Sequence, residues 1–328
     1  MKFNTIRRTG SRSAVVALFG LLAVFTADVR AVTIAWSPVG NPGNAADPAT
    51  GSLYGAVGYS YNIGTYDVTN SQYVEFLNAK DPTGANTLAL YDSYTTNGGI
   101  DYNAGNANGN KYSVISGDGN RPVNFVTWFD TVRFANWLNN GQGGGDTESG
   151  AYLLQGGTPI PSNADSIARQ AGATVFLPSE NEWYKAAYYN PASSSYYQYP
   201  TSSNTAPTAS LPTGAINSAN FNNAAGGLTD VGAYTGTTSP YGAFDMGGNV
   251  FQWNEALNVP FRVLRGGSYG DPFPAADTLR SSARYNNLFP GDLSSGFGFR
   301  VASIPEPSTG VLAIVACGLM WWWKKRFK

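Results

Sequence analysis

Three stretches of this chain place apolar residues at helical spacing behind a polar cap. In "YDVTNSQYVEFLN", Thr69 or Asn70 caps a segment whose Tyr73, Phe76 and Leu77 recur at i, i+3 and i+4. In "TWFDTVRFANWLNN", Thr127 and Asp130 stand at capping-box spacing, with Phe134, Trp137 and Leu138 as the apolar face. In "LPSENEWYKAAYYNP", Ser179 and Glu182 repeat that spacing, Trp183, Ala186 and Ala187 point inward, and Pro191 lies beyond the end. Elsewhere short strand-like runs alternate with polar loops such as "YTTNGGIDYNAGNANGNKY" and "YNPASSSYYQYPTSSNTAPTAS". Loops of that length in a compact domain need pinning, by function or by ions. The tyrosines of Tyr188–Tyr199 either stack on a ligand or pack the loop onto its domain, and packing is the favoured reading.

Composition narrows the chemistry. The 328 residues are 42% hydrophobic, 14% aromatic and 12% charged, which predicts one large folded domain rather than disorder. A net charge of −1 leaves no basic footprint for nucleic acid. Histidine is absent and Cys317 is the sole cysteine. Ser-His-Asp and Cys-His catalysis, histidine-ligated zinc or iron, and disulfides are therefore excluded. Remaining chemistry must use Asp, Glu, Tyr, Lys, Ser or a bound cofactor, and oxygen ligands favour calcium or magnesium.

Both ends read as addresses. Lys2, Arg7, Arg8 and Arg12 precede the apolar run Ala14 to Ala27, with Val29 and Ala31 at a cleavage site, so residues 1–31 are expected to be a signal peptide. Near the other end, residues 309–323 form an apolar segment of about 15 residues, shorter than the ~20 of a comfortable span. Trp321 to Trp323 and then Lys324, Lys325 and Arg326 follow at its boundary. Pro305-Glu306-Pro307, this short helix and the basic cluster together resemble the PEP-CTERM sorting signal of Gram-negative bacteria. That resemblance implies an exosortase-type machinery as partner for residues 304–328. It also implies export, with the protein held at the inner membrane through a transmembrane segment or released to the outer surface or extracellular matrix.

Between the two addresses, over residues 32–303, six motifs follow in order: "YDVTNSQYVEFLN", "RPVNFVTWFDTVRFANWLN", "FLPSENEWYKAAYY", "YGAFDMGGNVFQW", "RVLRGGSY" and "GFGFRVA". From about Val57 to Ala302 the chain resembles the formylglycine-generating enzyme, or sulfatase-modifying factor, family. The resemblance implies a single mixed α+β domain with little regular secondary structure and a C-type-lectin-like fold. It also implies where copper-binding cysteines would stand. One lies two residues after the aromatic that follows Arg-Gly-Gly-Ser, which here is Asp271, and the other five residues further, which here is Ala276. Both thiols are missing, so copper is not expected. The superfamily's sulfoxide-forming branch needs histidine-ligated iron, and the chain has no histidine.

The family's calcium ligands carry over more fully. They become Asp245, the carbonyls of Gly248 and Val250, and Gln252 where the family has Glu, with Glu255 near enough in sequence to compensate. A second set begins at Asn220 and the carbonyl of Phe221, with Asn223 or Asp230 as the downstream ligand. Calcium is therefore the expected ion. The family's substrate groove maps to Arg265, Ser268, Tyr269, Asp271 and Arg284. A non-catalytic module for a peptide or glycan, including exopolysaccharide, is the expected function. The alternatives are an enzyme repurposed around Asp271 and a surviving sulfatase-modifying oxidoreductase.

Overall fold

The computed structural model describes residues 1, 31–93, 97–271 and 275–305. The signal-peptide reading (1–31) and the sorting tail (304–328), including its apolar segment, fall almost wholly outside the described residues. Among the described residues no helix is long and apolar enough to cross a membrane.

All three capped segments are helices: α1 (Asn70–Lys80), α2 (Trp128–Asn139) and α3 (Glu180–Tyr188). Each starts with a reciprocal capping box. At α1 the cap is Thr69, whose hydroxyl accepts from the Gln72 N–H at 3.3 Å while Gln72 Oε1 accepts from the Thr69 N–H at 2.9 Å. At α2, Asp130 returns the bond to the Thr127 N–H at 2.8 Å, and at α3 Glu182 does so to Ser179 at 2.6 Å. These pairs satisfy amide groups that a helix start leaves without partners.

The helices pack on two small four-stranded sheets. In the first, strand Trp36–Val39 pairs antiparallel with Tyr61–Gly64, which pairs with Ala302–Ser303, which pairs with Val175–Phe176. The first and last strands of the domain thus share one sheet. In the second, the order is Tyr285–Leu288, Phe261–Arg265, Phe251–Asn258, Phe297–Phe299, the last pair being parallel. Strands Ile100–Tyr102 and Tyr112–Val114 form a separate antiparallel pair.

The apolar faces predicted for α1 and α2 meet each other. Phe76 lies 5.4 Å from both Phe134 and Trp137 between ring centres, and Phe134 lies 5.3 Å from Phe299 of the second sheet. All four are fully buried, the kind of site where truncation to Ala costs about 3–5 kcal/mol. A second cluster gathers Trp183, Tyr184 and Tyr188 of α3 against Tyr61 and Ile63. The Tyr188–Tyr199 loop packs: Tyr189 and Tyr196 stand 5.1 Å apart, Tyr184 and Tyr196 5.6 Å, and Tyr188 and Tyr199 are buried. Side chains pin the other long loops. Asn140 donates to the carbonyls of Asp146 and Ser149, and Asn86 both donates to and accepts from the Tyr91 backbone. Asn86 itself takes a positive φ of 49°, a conformation asparagine adopts more readily than most residues.

Candidate functional site

Strand Phe261–Arg265 carries Arg265 into the interior, beside the first turn of α3. There Glu180 Oε1 accepts from Arg265 Nε at 2.9 Å and Nη2 at 2.7 Å. Its other guanidinium nitrogen donates to the carbonyls of Ser281 and Ala283. Arg284 reaches the same carboxylate from the far side, at 2.8 and 3.0 Å. The Arg265 side chain is 1% exposed and that of Arg284 is 21% exposed, so only the second has a face toward solvent. The ring of Tyr54 lies 4.7 Å from Arg265 and 5.7 Å from Arg284.

After Arg265 the backbone turns through Gly266 and Gly267 with φ of +101° and +74°. A Cβ on Gly267 would meet Thr278 Oγ1 at 2.6 Å, so this close approach requires glycine. The turn delivers Ser268, whose N–H and hydroxyl both donate to Asp271 at 3.0 Å. Thr278 adds a third hydrogen bond to the same carboxylate. Burial pushes the Asp271 carboxyl upward in pKa, against these three bonds that favour the charged form. Asp271 is therefore a buried, fully engaged acceptor that ties the turn to the segment Ala275–Leu279. Ala276 packs beside Tyr199, Ala219, Phe221 and Leu279. Tyr269 is buried and its hydroxyl donates to Ser295 at 3.2 Å. The five groove residues thus come together in one region of the chain, while Arg265, Ser268 and Asp271 spend their polar atoms on the protein itself.

The calcium ligands implied by the resemblance divide. Gln252 Oε1 accepts from the Trp183 indole at 2.6 Å and from Arg300 Nε at 2.7 Å, while Nε2 donates to the Asp245 carbonyl at 2.7 Å. Turning the amide would set its NH2 against two N–H donors, so this orientation is fixed. A cation here would meet an amide nitrogen and the Arg300 guanidinium, and Gln252 does not fit as a calcium ligand. Asp245 receives the Gly232 N–H at 2.6 Å, and burial raises its carboxyl pKa. Glu255 cannot compensate, because its two oxygens each bind Arg169 at 2.7 Å. In the second set Asn220 donates to Gly227 and Asn249, the Phe221 carbonyl accepts from Ala224, and Asp230 is exposed. Asn220 Oδ1 is buried with no hydrogen-bond partner, which fits a ligand atom awaiting an ion or a water. Among the described residues no group of three or more His, Cys, Asp or Glu side chains could hold a metal.

Sequence reading did not single out Glu180, Asp67 or Arg300. Arg300 is fully buried and joins Gln252, the carbonyls of Gly64 and Phe244, and Asp67 Oδ1 at 2.9 Å. Asp67 Oδ2 has no partner, and burial, reinforced by Asp245, raises the Asp67 pKa to about 8 against the pull of Arg300. Asp67 also lines a cavity of about 520 Å3 together with Tyr66 and Asp230. No sequence signal marks these pairings, since Asp67 and Arg300 are 233 positions apart.

Comparison with known proteins agrees with the motif order. Residues 55–304 match the sulfatase-modifying factor enzyme 1-like domain. A hercynine oxygenase of Mycolicibacterium thermoresistibile is 34% identical over 145 residues, covering 37% of this chain and 30% of that protein. The chain thus spans under a third of the oxygenase's length. Among solved structures, Treponema denticola variable protein 1 superposes with a TM-score of 0.56 at 20% identity, covering 85% of this chain and 98% of that one. CarF superposes with a TM-score of 0.53 at 20% identity, covering 84% and 99%. At these identities the solved structures share the fold alone.

Proposed function

This chain belongs to the sulfatase-modifying factor enzyme 1-like domain family, and from that premise we propose that it is a ligand-binding member without the family's thiol–copper chemistry. One observation carries the reading: the two positions where the family places thiols hold Asp271 and Ala276. Asp271 is consumed by Ser268 and Thr278, and Ala276 sits against an apolar cluster. Copper(I) prefers soft thiolate ligands, and a buried hydrogen-bonded carboxylate and a methyl group offer neither softness nor an open position.

The oxygenase activity named for the related protein is not proposed for this chain, whose own residues include no histidine to hold iron. A general acid at Asp271 fares no better, because its oxygens already accept three internal bonds. Of the five groove residues only Arg284 is not buried, and its guanidinium lies 5.7 Å from the Tyr54 ring. Arginine with tyrosine suits planar hydrogen bonding and stacking on an extracellular peptide or polysaccharide. The signal-peptide and sorting-tail sequences favour a matrix or envelope setting, with exosortase-type processing. Calcium, the family's ion, is supported here by Asn220 Oδ1 and not by Gln252.

The purified chain is to be incubated with copper(I), oxygen and a sulfatase-type cysteine peptide, and the product read by mass spectrometry. No aldehyde is expected, and aldehyde formation overturns the proposal. An array of peptides and polysaccharides tests the binding half, where a signal no higher than that of denatured protein would sink it.

A further inference from the structure

The hairpin Ile100–Tyr102/Tyr112–Val114 and the loop before it hold three tyrosines against one another. Tyr91 and Tyr112 are 5.2 Å apart between ring centres, Tyr102 and Tyr112 5.3 Å, and Tyr91 and Tyr102 6.3 Å. All three line an open cleft of about 280 Å3, joined by Gly84, Asn86 and Asp92. Their hydroxyls are turned back into the protein: Tyr91 donates to the Ile100 carbonyl, Tyr102 to that of Gly84, and Tyr112 to Asp81. The Tyr102 ring lies so close over Gly84 that a Cβ there would meet it at 2.5 Å. The rings are thus held by both ends; Tyr112, 3% exposed, backs the cleft, and what a visitor meets is the half-buried rings of Tyr91 and Tyr102.

The rim is acidic. Asp92 lines the cleft and, with Asp101, acts on the Tyr91 hydroxyl, whose pKa is raised chiefly by burial and further by these two carboxylates. Among the described residues no Lys or Arg lines the cleft, and neighbouring Lys111 is buried and spends its ammonium on the carbonyls of Ala104 and Asn106.

We propose that the Tyr91–Tyr102–Tyr112 cleft is a binding site for a neutral pyranose unit of a polysaccharide. An equatorially substituted sugar ring presents a flat C–H face that stacks on such rings, and its hydroxyls donate to carboxylate acceptors at the rim. A proline-rich peptide would also stack but brings no hydroxyl donors for Asp92. A uronic acid would be repelled by the rim carboxylates. The cleft lies apart from the 265–284 stretch, so the inference goes beyond the reading above and fails or survives independently of the copper test.

The test is calorimetric titration of the full chain with three probes: cellotetraose, tetragalacturonate and a proline-rich decapeptide. Cellotetraose is expected to bind, and Tyr102→Ala to weaken it roughly tenfold, about the worth of one stacked ring. Tyr102→Phe, which keeps the ring and drops only the bond to Gly84, should stay within about threefold of the parent. Tyr102→Ala is read beside its melting curve, and Asp92→Asn provides a second variant that leaves the rings in place. Asp92→Asn should weaken cellotetraose and narrow the gap to tetragalacturonate. Absence of cellotetraose binding overturns the proposal, as does parent-like affinity in both Tyr102→Ala and Asp92→Asn. So does preferential binding of tetragalacturonate or of the peptide.

Discussion

Replacing Glu180 by alanine removes one carboxylate from between two arginines, and the structure apportions the damage unequally. Arg265, 1% exposed, loses its bonds at 2.9 and 2.7 Å and keeps only the carbonyls of Ser281 and Ala283 for its remaining nitrogen. A buried charge stripped of its counter-ion costs about 3–5 kcal/mol. Arg284, 21% exposed, can turn to water, so its share is about 0–1 kcal/mol. The total is a large part of the roughly 5–15 kcal/mol that holds a domain folded. For a domain of this size it corresponds to a fall in melting temperature of roughly 6–24 °C. Glu180→Gln keeps one oxygen acceptor and should cost about half as much. Arg284→Ala should cost under about 1 kcal/mol. Thermal unfolding followed by tryptophan fluorescence measures all three. The reasoning is refuted if Glu180→Ala melts within about 2 °C of the parent, or if Arg284→Ala costs as much as Glu180→Ala. The first result would mean that Arg265 does not depend on Glu180, and the second that Arg284 is not free to turn to water.

Two further outcomes follow from buried carboxylates. Asp67 has a folded-state pKa raised from 3.8 to about 8, so the folded chain holds its proton more tightly than the unfolded one. That stabilisation is full below the unfolded value and is lost as pH rises toward about 8. Melting temperature should therefore decline between pH 6 and 8, and Asp67→Asn should flatten the decline; parallel curves for the two proteins would remove Asp67 as its source. Asp271→Ala leaves the buried Ser268 N–H and hydroxyl without their acceptor and should lower stability by about 1–3 kcal/mol. Urea denaturation checks this, and an unchanged midpoint would show that the carboxylate does not lock the turn.

The parts of this fold that sequence reveals are those governed by local chemistry. Thr127, Asp130, Ser179 and Glu182 declare two helix starts because a capping box is complete within four residues. Gln72 completes the third box from a position that the pattern of apolar residues does not single out. Periodicity likewise selects Phe76, Phe134 and Trp137, since the buried face of a helix repeats along its own sequence. What escapes is pairing across the chain. Glu180 reads as an ordinary acidic residue in a first helical turn, yet its partners lie 85 and 104 positions away. Gln252 reads as a weakened ion ligand, whereas its oxygen is taken by Trp183 and by Arg300, 48 positions on. The groove arginines show the same limit: a motif places Arg265 and Arg284 near one another without showing that a glutamate stands between them.

The strand Ala302–Ser303 has a mechanical consequence. It is the last strand before residue 305, and it lies between Tyr61–Gly64 and Val175–Phe176 rather than at an edge. Tension applied through the chain beyond residue 305 would therefore be transmitted directly to an interior strand. Such a strand cannot be peeled from one neighbour alone. It must break with both at once, so the domain meets a pull from that end at its better-braced point.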